Sequence, residues 1–397
     1  MKKNTIVYIG GFELPDKNAA AQRVVSNAKL LRAIGYDVVL IGVHKDSKLQ
    51  LKENLFYGFK CYSVQYPQSK RDWFNYITEY DLYKNIAEIN NQIHSFIFYN
   101  LPAFSMARLL RYSNKRKIKT FADCTEWYET KDEFNFKDII KKIDVKLRME
   151  YYHKKVTGVI SISRYLYDYY LHNNVKTMML PPLVDIEDEK WRKETSDTEL
   201  SDSIKFVYVG SPFAINNLTS ANSAKDRIDI VIDSLYRFFL KGENFLFNII
   251  GITKDNFVMA YPSFENKINE MKEVLVFKGK LPHLEAVSIL KRSNYSIFFR
   301  DNTLTNNAGF PTKFTEAITA STAVITNNSS NIADFLKEGK NGFLLNSKSI
   351  DDVDKILDKV FNLKNSYLSE IAIYTENNNK IFDYRNYVHE VRNFIEK

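Results

Sequence analysis

Residues 5–43 read TIVYIGGFELPDKNAAAQRVVSNAKLLRAIGYDVVLIGV. This stretch decides the fold class because its hydrophobic period changes twice. Thr5–Ile9 is a short apolar run with β-branched residues, which predicts a strand that the next two glycines end. From Ala21 to Leu31 apolar residues recur at helical spacing, and Gly35 stands where a C′ glycine belongs. Asp37–Val43 is a second apolar run, so the order strand, helix, strand predicts a parallel sheet.

The same alternation continues along the chain. Further strands are predicted at Ser95–Tyr99, Ile118–Ala122, Gly158–Ser161, Ile204–Val209, Phe245–Ile250, Leu275–Phe277, Tyr295–Phe299 and Ala323–Thr326. Further helices are predicted from about Pro102 and at Asp138–Lys154, Arg164–Leu171, Asp226–Phe239, Thr312–Thr319 and Ile332–Glu338. The pattern indicates an α/β protein made of two series of βα units.

A charged segment without a clear period, 186–203, follows Pro181-Pro182 and is interpreted as a linker. We therefore expect a first domain at 1–185, a second at 204–378, and a C-terminal helix at 379–397 that packs back on the first domain. Two doubly wound domains joined by one linker face a central cleft between the carboxyl ends of their sheets, where ligands bind in such folds.

Composition excludes several classes of protein. The 397 residues are 45% hydrophobic and 14% aromatic, which suits two folded domains and excludes disorder as the main state. Cys61 and Cys124 are the two cysteines, which excludes a disulfide scaffold and favours a reducing compartment. The apolar run Ile6–Phe12 is too short for a signal peptide, and no stretch reaches the about 18 apolar residues of a membrane span. We expect a cytoplasmic protein, either soluble or peripheral on the inner face of the membrane.

The net charge of +8 is concentrated in two stretches of the N-terminal half. Arg108–Lys119 holds six Lys or Arg and no acid, and Lys137–Lys155 holds seven against three acids. Such stretches are typical of solvated helix faces, but they also suit an anionic membrane surface or a phosphorylated acceptor. No nucleic-acid-binding motif accompanies the charge, so nucleic acid is not an expected partner.

The most informative stretch for chemistry is NNAGFPTKFTEAITASTAVITNNSSNIADFLKEGKNGFLL, residues 306–345. Gly309-Phe310-Pro311 predicts a turn into a helix with Thr312 as its N-cap. The unpaired first-turn amides, with Lys313 beside them, would form an anion site. Glu316, one turn further on, could accept hydrogen bonds from two adjacent ribose hydroxyls. Together these features suit a nucleoside diphosphate, although an ordinary helix start with a surface glutamate would have the same sequence.

A family resemblance rests on these residues. Pro311-Thr312-Lys313-Phe314-x-Glu316-Ala317, then Ala323-Val324-Ile325-Thr326 and Gly339-x-Asn341-Gly342-Phe343, resembles the C-terminal signature of family 4 glycosyltransferases, which are retaining enzymes of the GT-B fold. Val209-Gly210-Ser211 with Lys225-Asp226-Arg227 resembles the family's element whose lysine binds the donor diphosphate. Gly10-Gly11, with the helix start after it, resembles the loop that closes on the donor. The likeness covers nearly the whole chain and implies two Rossmann-like domains.

The resemblance implies a donor site without metal or cofactor, in which cationic side chains neutralise the diphosphate. The implied donor-binding residues are Gly10, Gly11, Gly210, Ser211, Lys225, Arg300, Pro311, Thr312, Lys313, Phe314 and Glu316. Two positions depart from the family pattern, since Ala308 replaces a glutamate that touches the donor sugar and Ser211-Pro212 replaces an arginine. Arg300, after an apolar strand, could supply the missing phosphate contact or could be an ordinary salt-bridged arginine.

In the N-terminal half, Asp123 and Glu126 follow a predicted strand and could orient an acceptor hydroxyl or take its proton. They could equally belong to a capped helix start. The predicted catalytic residues are Asp123, Glu126, Lys225 and Arg300. Asp352-Val353-Asp354 has the D-x-D spacing of a metal–diphosphate motif but is interpreted as capping charge at a helix start.

The resemblance implies transfer of a sugar, with retention of anomeric configuration, from a nucleotide-diphosphate sugar to a glycan or lipid-linked acceptor. Assembly of a cell-surface polysaccharide, such as a capsule or exopolysaccharide, fits a cytoplasmic enzyme with a basic first domain. Two alternatives stay open: a non-catalytic subunit of the same fold that binds a partner glycosyltransferase or a glycan, and a nucleotide-sugar 2-epimerase.

Overall fold

The computed structural model describes residues 4–14, 18–45, 54–89, 92–127, 136–192, 203–213, 224–345 and 350–397. The chain divides into two compact units. Unit 1 comprises Met1–Asp185, Asn307–Phe310 and Asp383–Lys397, and unit 2 comprises Ile186–Asn306 and Pro311–Phe382. Most of the predicted linker lies outside the described residues, but Glu189–Trp191 forms a 3-10 turn in which Trp191 is buried.

The described part of unit 1 contains an eight-stranded sheet in the order β3-β4-β2-β1-β5-β6-β7-β8. Its strands are β1 Thr5–Glu13, β2 Asp37–His44, β3 Asn54–Phe56, β4 Phe59–Gln65, β5 Ile93–Tyr99, β6 Lys119–Cys124, β7 Gly158–Ser161 and β8 Thr177–Met179. Neighbouring strands are parallel except for the β3–β4 hairpin. The carboxyl ends of the parallel strands therefore meet at one edge, where polar side chains can converge.

Helices connect these strands. They are α1 Ala19–Ile34, α2 Lys70–Thr78, α3 Asp81–Ile89, α4 Ala103–Arg116, α5 Phe136–Lys146 and α6 Arg164–His172. At the start of α1 the Asn18 side chain accepts from the Ala21 amide, a cap that the sequence analysis did not predict. The helix ends at the predicted glycine, Gly35, which adopts φ 111°. Alternate residues of β1 face opposite layers: Ile6 and Tyr8 lie in the core with α1, and Val7 and Ile9 in the core with α4.

The described part of unit 2 contains a six-stranded sheet in the order β11-β10-β9-β12-β13-β14, with all pairs parallel. Its strands are β9 Ile204–Val209, β10 Phe245–Ile250, β11 Leu275–Gly279, β12 Tyr295–Ile297, β13 Ala323–Asn327 and β14 Gly342–Leu345. Its helices are α7 Ile228–Leu240, α8 Lys254–Ala260, α9 Glu265–Glu270, α10 His283–Lys291, α11 Leu304–Ala308, α12 Thr312–Thr319, α13 Ile350–Phe361 and α14 Asn365–Asn377, and the last two residues of α11 belong to unit 1.

The C-terminal helix α15, Val388–Glu396, belongs to unit 1. Val391 and Ile395 are buried in the same core as α1. Lys119 donates from Nζ to the carbonyl oxygens of residues 395 and 396 at 2.9 and 2.7 Å, which ties the end of the chain to β6.

Three sequence predictions need correction. β1 does not end at Gly10-Gly11 but runs to Glu13, because Gly10 stays in register with Tyr99 of β5. The helix expected at Ile332–Glu338 is a single 3-10 turn at Ile332–Asp334. The helix expected at Asp138–Lys154 is α5 followed by a π turn, Leu147–Tyr152, and a short 3-10 turn.

Candidate functional site

The candidate site of unit 2 lies at the carboxyl edge of its sheet, around one buried carboxylate. Asp226 precedes α7 and accepts from Arg300 Nε at 2.9 Å and from Lys313 Nζ at 2.5 Å. The Tyr208 hydroxyl, from β9, donates to the same carboxylate at 2.8 Å. Asp226 and Arg300 are almost fully buried, and the Lys313 side chain is 11% exposed. Two cations around one anion leave a formal surplus of one positive charge in a poorly hydrated place, where an anionic ligand would be favoured.

The strand ends hold this cluster in place. Arg300 follows β12. Its backbone amide is fixed in position because it donates to Asn327 Oδ1 at 2.8 Å. The Asn327 side-chain amide donates back to the Arg300 carbonyl oxygen, also at 2.8 Å. These two hydrogen bonds join the ends of β12 and β13. The Arg300 side chain is therefore attached to a rigid part of the backbone.

Burial and charge shift the pKa values in this cluster. Burial alone would raise the pKa of Asp226, but the neighbouring Lys313 and Arg300 outweigh it and hold that pKa well below its usual range. Burial lowers the pKa of Lys313 to about 8, against the opposing attraction of Asp226. Burial, and then the Asp226 charge, raises the pKa of Tyr208, so this hydroxyl stays a donor. The carboxylate is therefore ionised, whereas the pKa of the ammonium group is about 8.

Gly210 leaves room beside the cluster. It directly follows β9 with φ 143°, a conformation that other residues rarely adopt. A Cβ atom there would lie 2.9 Å from Lys313 Nζ and 3.4 Å from the Tyr208 hydroxyl. The backbone thus requires glycine, and a side chain at this position would displace the Lys313 ammonium group.

The loop after Gly210 carries two further predicted site residues. Ser211 donates from Oγ to the Phe213 carbonyl oxygen at 2.9 Å, which gives it a turn-stabilising contact. Residues 214–223 lie outside the described part of the chain. Beyond this gap, the Lys225 side chain is exposed, and the Lys225 backbone amide donates to the Pro212 carbonyl oxygen at 2.6 Å. This hydrogen bond brings the two ends of the loop together next to Asp226.

Helix α12 supplies the remaining predicted residues. It begins at Thr312 with Pro311 as N-cap and without a side-chain capping bond, so the prediction of Thr312 as N-cap was wrong. Pro311 has φ −73° and ψ 107°, so the chain enters the helix from an extended residue. Phe314 is fully buried against Phe382 in the core of unit 2, away from solvent. Lys313 is directed instead to Asp226.

Glu316 lies one turn into α12 and is 18% exposed at its side chain. Its Oε1 atom lies 3.2 Å from Nε2 of His283, the first residue of α10. A partly exposed carboxylate held on one side by an imidazole can still accept from hydroxyl groups on the other. The sequence predictions included Glu316 but missed its partner.

In unit 1 the predicted residue Asp123 lies at the end of β6 and is fully buried. Arg23 donates to it from Nε and Nη2, the latter at 2.7 Å, and the Tyr8 hydroxyl donates to it as well. The same guanidinium group donates through Nη1 to the carbonyl oxygens of Leu180 and Pro181, both at 3.1 Å. This environment favours a structural role for Asp123, which links three segments of unit 1, over contact with an acceptor.

The other unit 1 predictions have different surroundings. Glu126 is partly exposed just beyond β6. Gly10 is buried, and a Cβ atom there would lie 1.8 Å from the Tyr99 carbonyl oxygen, so strand packing by itself requires this glycine. Gly11 is exposed. The fully buried Ala308 also belongs to unit 1, where its carbonyl oxygen accepts from Ser163 Oγ at 2.7 Å.

Metal-binding features are absent from the described ranges, where no three His, Cys, Asp or Glu side chains come together as a metal site. Asp354 of the D-x-D sequence pairs instead with Arg237 at 2.7 Å. No helix among the described residues is long and apolar enough to cross a membrane.

A family model described as "Glycosyl transferases group 1" matches residues 222–377. The matched part of the chain includes Asp226, Arg300, Lys313 and Glu316. No curated protein matches the sequence.

Solved structures match over the whole chain at low sequence identity. Sucrose-phosphate synthase from Thermosynechococcus elongatus matches with a TM-score of 0.71 and 10% identity, over 99% of this chain and 98% of that one. HepE from Anabaena, in complex with UDP and glucose, matches with a TM-score of 0.66 and 10% identity, over 99% of both chains. The catalytic domain of starch synthase IV from Arabidopsis thaliana, bound to ADP and acarbose, matches with a TM-score of 0.71 and 10% identity, over 100% of this chain and 99% of that one. These matches establish the GT-B fold, with two Rossmann-like domains.

Proposed function

We propose that this protein is a glycosyltransferase that takes a sugar from a nucleotide-diphosphate donor and transfers it, with retention of configuration, to a glycan or lipid-linked acceptor. The observation that carries the proposal is the convergence of Arg300 and Lys313 on Asp226 within the glycosyltransferase group 1 region. The fold alone would not be enough, because one fold serves many functions.

The cluster suits the charge of the leaving group. Breaking the bond between sugar and diphosphate builds negative charge on the phosphate, and preorganised cations stabilise that charge in the transition state. Arg300 and Lys313 are held by a buried carboxylate, so little reorganisation is needed when the charge develops. The exposed Lys225 adds a third cation in the adjacent loop. Cationic side chains in this arrangement would make a metal ion unnecessary.

Recognition of the nucleoside is assigned to Glu316. Its carboxylate would accept hydrogen bonds from the two ribose hydroxyls, while His283 holds it at 3.2 Å. The complexes of HepE with UDP and glucose and of starch synthase IV with ADP make uridine and adenosine diphosphates the first ligands to test.

The acceptor is assigned to unit 1. Glu126 is partly exposed and close to the carboxyl edge of the sheet, so it is the residue that we propose to orient or deprotonate an acceptor hydroxyl. Buried Asp123 would support this edge rather than meet the acceptor. Cell-surface polysaccharide assembly at the cytoplasmic side of a membrane remains the proposed setting.

Isothermal titration of UDP, GDP and ADP tests the donor site. The wild type should bind one nucleotide preferentially, and Glu316→Ala should weaken that binding by about tenfold or more, which corresponds to about 1.4 kcal/mol. Glu370→Ala, which removes an exposed carboxylate from α14, is the matched control and should bind like the wild type. If the folded wild type bound none of the three nucleotides, the non-catalytic alternative would be favoured. Donor-dependent glycoside formation by the isolated chain then separates an enzyme from a nucleotide-binding subunit.

A further inference from the structure

An unusual apolar row lies on the outside of unit 1. Five side chains of α5 and the π turn after it are between 38% and 54% exposed: Ile139, Ile140, Ile143, Leu147 and Tyr151. Ile139, Ile143 and Leu147 are four residues apart, so they advance by about 40° each around the helix and form one stripe. Ile140 widens the stripe to an arc of about 100°, and Tyr151 extends it through the π turn. A solvent-facing helix surface of a globular domain is normally polar instead.

The opposite face of the same helix is anchored in unit 1. Val145 and Met149 are buried in the unit, so the helix is apolar on both sides. Asp144 Oδ1 accepts from the Ala103 amide at 2.7 Å, and Arg148 donates from Nη1 to the Asn100 carbonyl oxygen at 3.1 Å. These contacts fix which face points outward, so the exposed row is a property of the fold and not of a loosely placed helix.

The charge around the row is mostly basic, with Glu150 as an exposed acid in the π turn. Lys142 and Lys146 are exposed on the helix beside the apolar arc, and Lys155 is exposed just after the π turn. In the other basic stretch, Arg108 donates to the Thr78 carbonyl oxygen and Arg116 pairs with Glu88 at 3.3 Å, but no large apolar side chain between Arg108 and Lys119 is exposed. Of the two stretches singled out in the sequence, the one at Lys137–Lys155 therefore combines positive charge with exposed apolar side chains.

We infer that this face of α5 and its π turn docks on an anionic lipid bilayer. An amphipathic helix with an apolar arc flanked by lysines lies in the membrane interface, where the arc enters the acyl boundary and the ammonium groups meet anionic headgroups. A protein partner would account for the apolar row but gives no reason for the flanking lysines. The inference extends the proposed function, because a lipid-linked acceptor would lie in a membrane. Only the link to the acceptor rests on the proposed function, since lipid binding is measurable without sugar transfer.

The place of the row in unit 1 agrees with that role. Asn100 and Ala103, which hold α5, directly follow the carboxyl end of β5. The neighbouring β6 ends next to Glu126, the proposed acceptor residue. Docking by α5 would therefore bring the acceptor edge of the unit 1 sheet close to the lipid surface.

Vesicle flotation of the full chain tests the inference. The probes are vesicles of phosphatidylcholine alone and of phosphatidylcholine with an equal share of phosphatidylglycerol. The variant Ile143→Glu/Leu147→Glu places two acids in the row, and the control Leu240→Glu/Ile373→Glu places two acids at exposed apolar positions of unit 2. The single variant Ile143→Glu gives a milder change, and thermal unfolding shows that each variant is folded.

The expected result is binding of the wild type and of the control to anionic vesicles only, reduced in high salt and at least about tenfold weaker in the α5 variants. Equal binding by wild type and α5 variants, or no binding by the wild type, would overturn the inference. It would also be overturned if the α5 substitutions changed only the oligomeric state, because the row would then be a protein–protein interface. Nucleotide titration of the same variants should be unchanged, so failure here is distinguishable from failure of the proposed donor site.

Discussion

The Asp226 carboxylate lies 2.9 Å from Arg300 Nε, although the two residues are 74 positions apart in the chain. Both side chains are less than 5% exposed. Lys313 joins the same carboxylate from α12, so three strand and helix ends meet at one anion. Buried ion pairs of this kind contribute little net stability, but loss of one partner leaves charges that cannot be hydrated. The pairing therefore positions the cations of the proposed donor site.

Asp226→Asn should both destabilise the protein and weaken nucleotide binding. The amide keeps the shape of the side chain but leaves the Arg300 and Lys313 charges uncompensated, which is expected to cost about 3–5 kcal/mol of unfolding free energy. Denaturant unfolding and titration of the preferred nucleotide measure the two effects. Asp358→Asn, at an exposed carboxylate on α13, should change neither. A variant as stable as the wild type would contradict the role assigned to Asp226.

Nucleotide affinity should fall as the pH rises through about 8. Burial lowers the pKa of Lys313 to about 8, so the ammonium group loses its proton and its attraction for phosphate above that pH. Titration between pH 7 and 9.5 should show this loss in the wild type. In Lys313→Met the loss should be absent and affinity uniformly low. A wild-type affinity that does not change across this range would place Lys313 outside the phosphate contacts.

The same pKa has the opposite effect on stability. Between about 8 and the ordinary lysine value of 10.5, the unfolded chain binds a proton at this position that the folded chain does not. The contribution of Lys313 to the free energy of unfolding therefore rises with pH in this window, while ligand affinity falls. Comparing the two pH profiles separates loss of the charge from loss of the fold.

Gly210→Ala should weaken nucleotide binding, whereas Gly242→Ala should not. Both glycines have positive φ, 143° and 84°, so each alanine variant is expected to lose about 1 kcal/mol or more of stability through backbone strain. At Gly242 no atom lies within 4 Å of the added methyl group, whereas at Gly210 it meets Lys313 Nζ. Thermal unfolding measures the strain in each variant. Equal nucleotide affinity in the two variants would show that the space beside Gly210 has no role in binding.

His283→Ala should reduce discrimination between UDP and 2′-deoxy-UDP, or between the matching pair of whichever nucleotide binds. The imidazole holds Glu316 at 3.2 Å, so its loss lets the carboxylate leave the ribose hydroxyls. The ratio of the two affinities should approach the ratio in Glu316→Ala, and His389→Ala, on α15, serves as the control. If His283 had a purely structural role, its loss would weaken the binding of both nucleotides equally and leave the ratio of their affinities unchanged.

Much of the fold could be predicted from local sequence pattern. Gly158–Ser161, Ile204–Val209, Phe245–Ile250 and Thr312–Thr319 begin and end where the sequence indicated. Their period and their bounding residues lie within the element itself, so no distant contact is needed to define them. The positions of Arg300 and Lys313 near a strand end and a helix start followed from the same local signals.

Tertiary structure decided which of these residues meet. Asp226 and Arg300, like His283 and Glu316, approach each other only because parallel crossovers bring strand ends to one edge of the sheet. Gly10-Gly11 stays within β1 because Tyr99 pairs with Gly10. The sequence alone determined the periods of α5 and of β1, since periodicity is a local property of side-chain order. Exposure of the apolar row on α5 and burial of Asp123 depend on which surfaces remain uncovered after folding, and distant parts of the chain set that outcome.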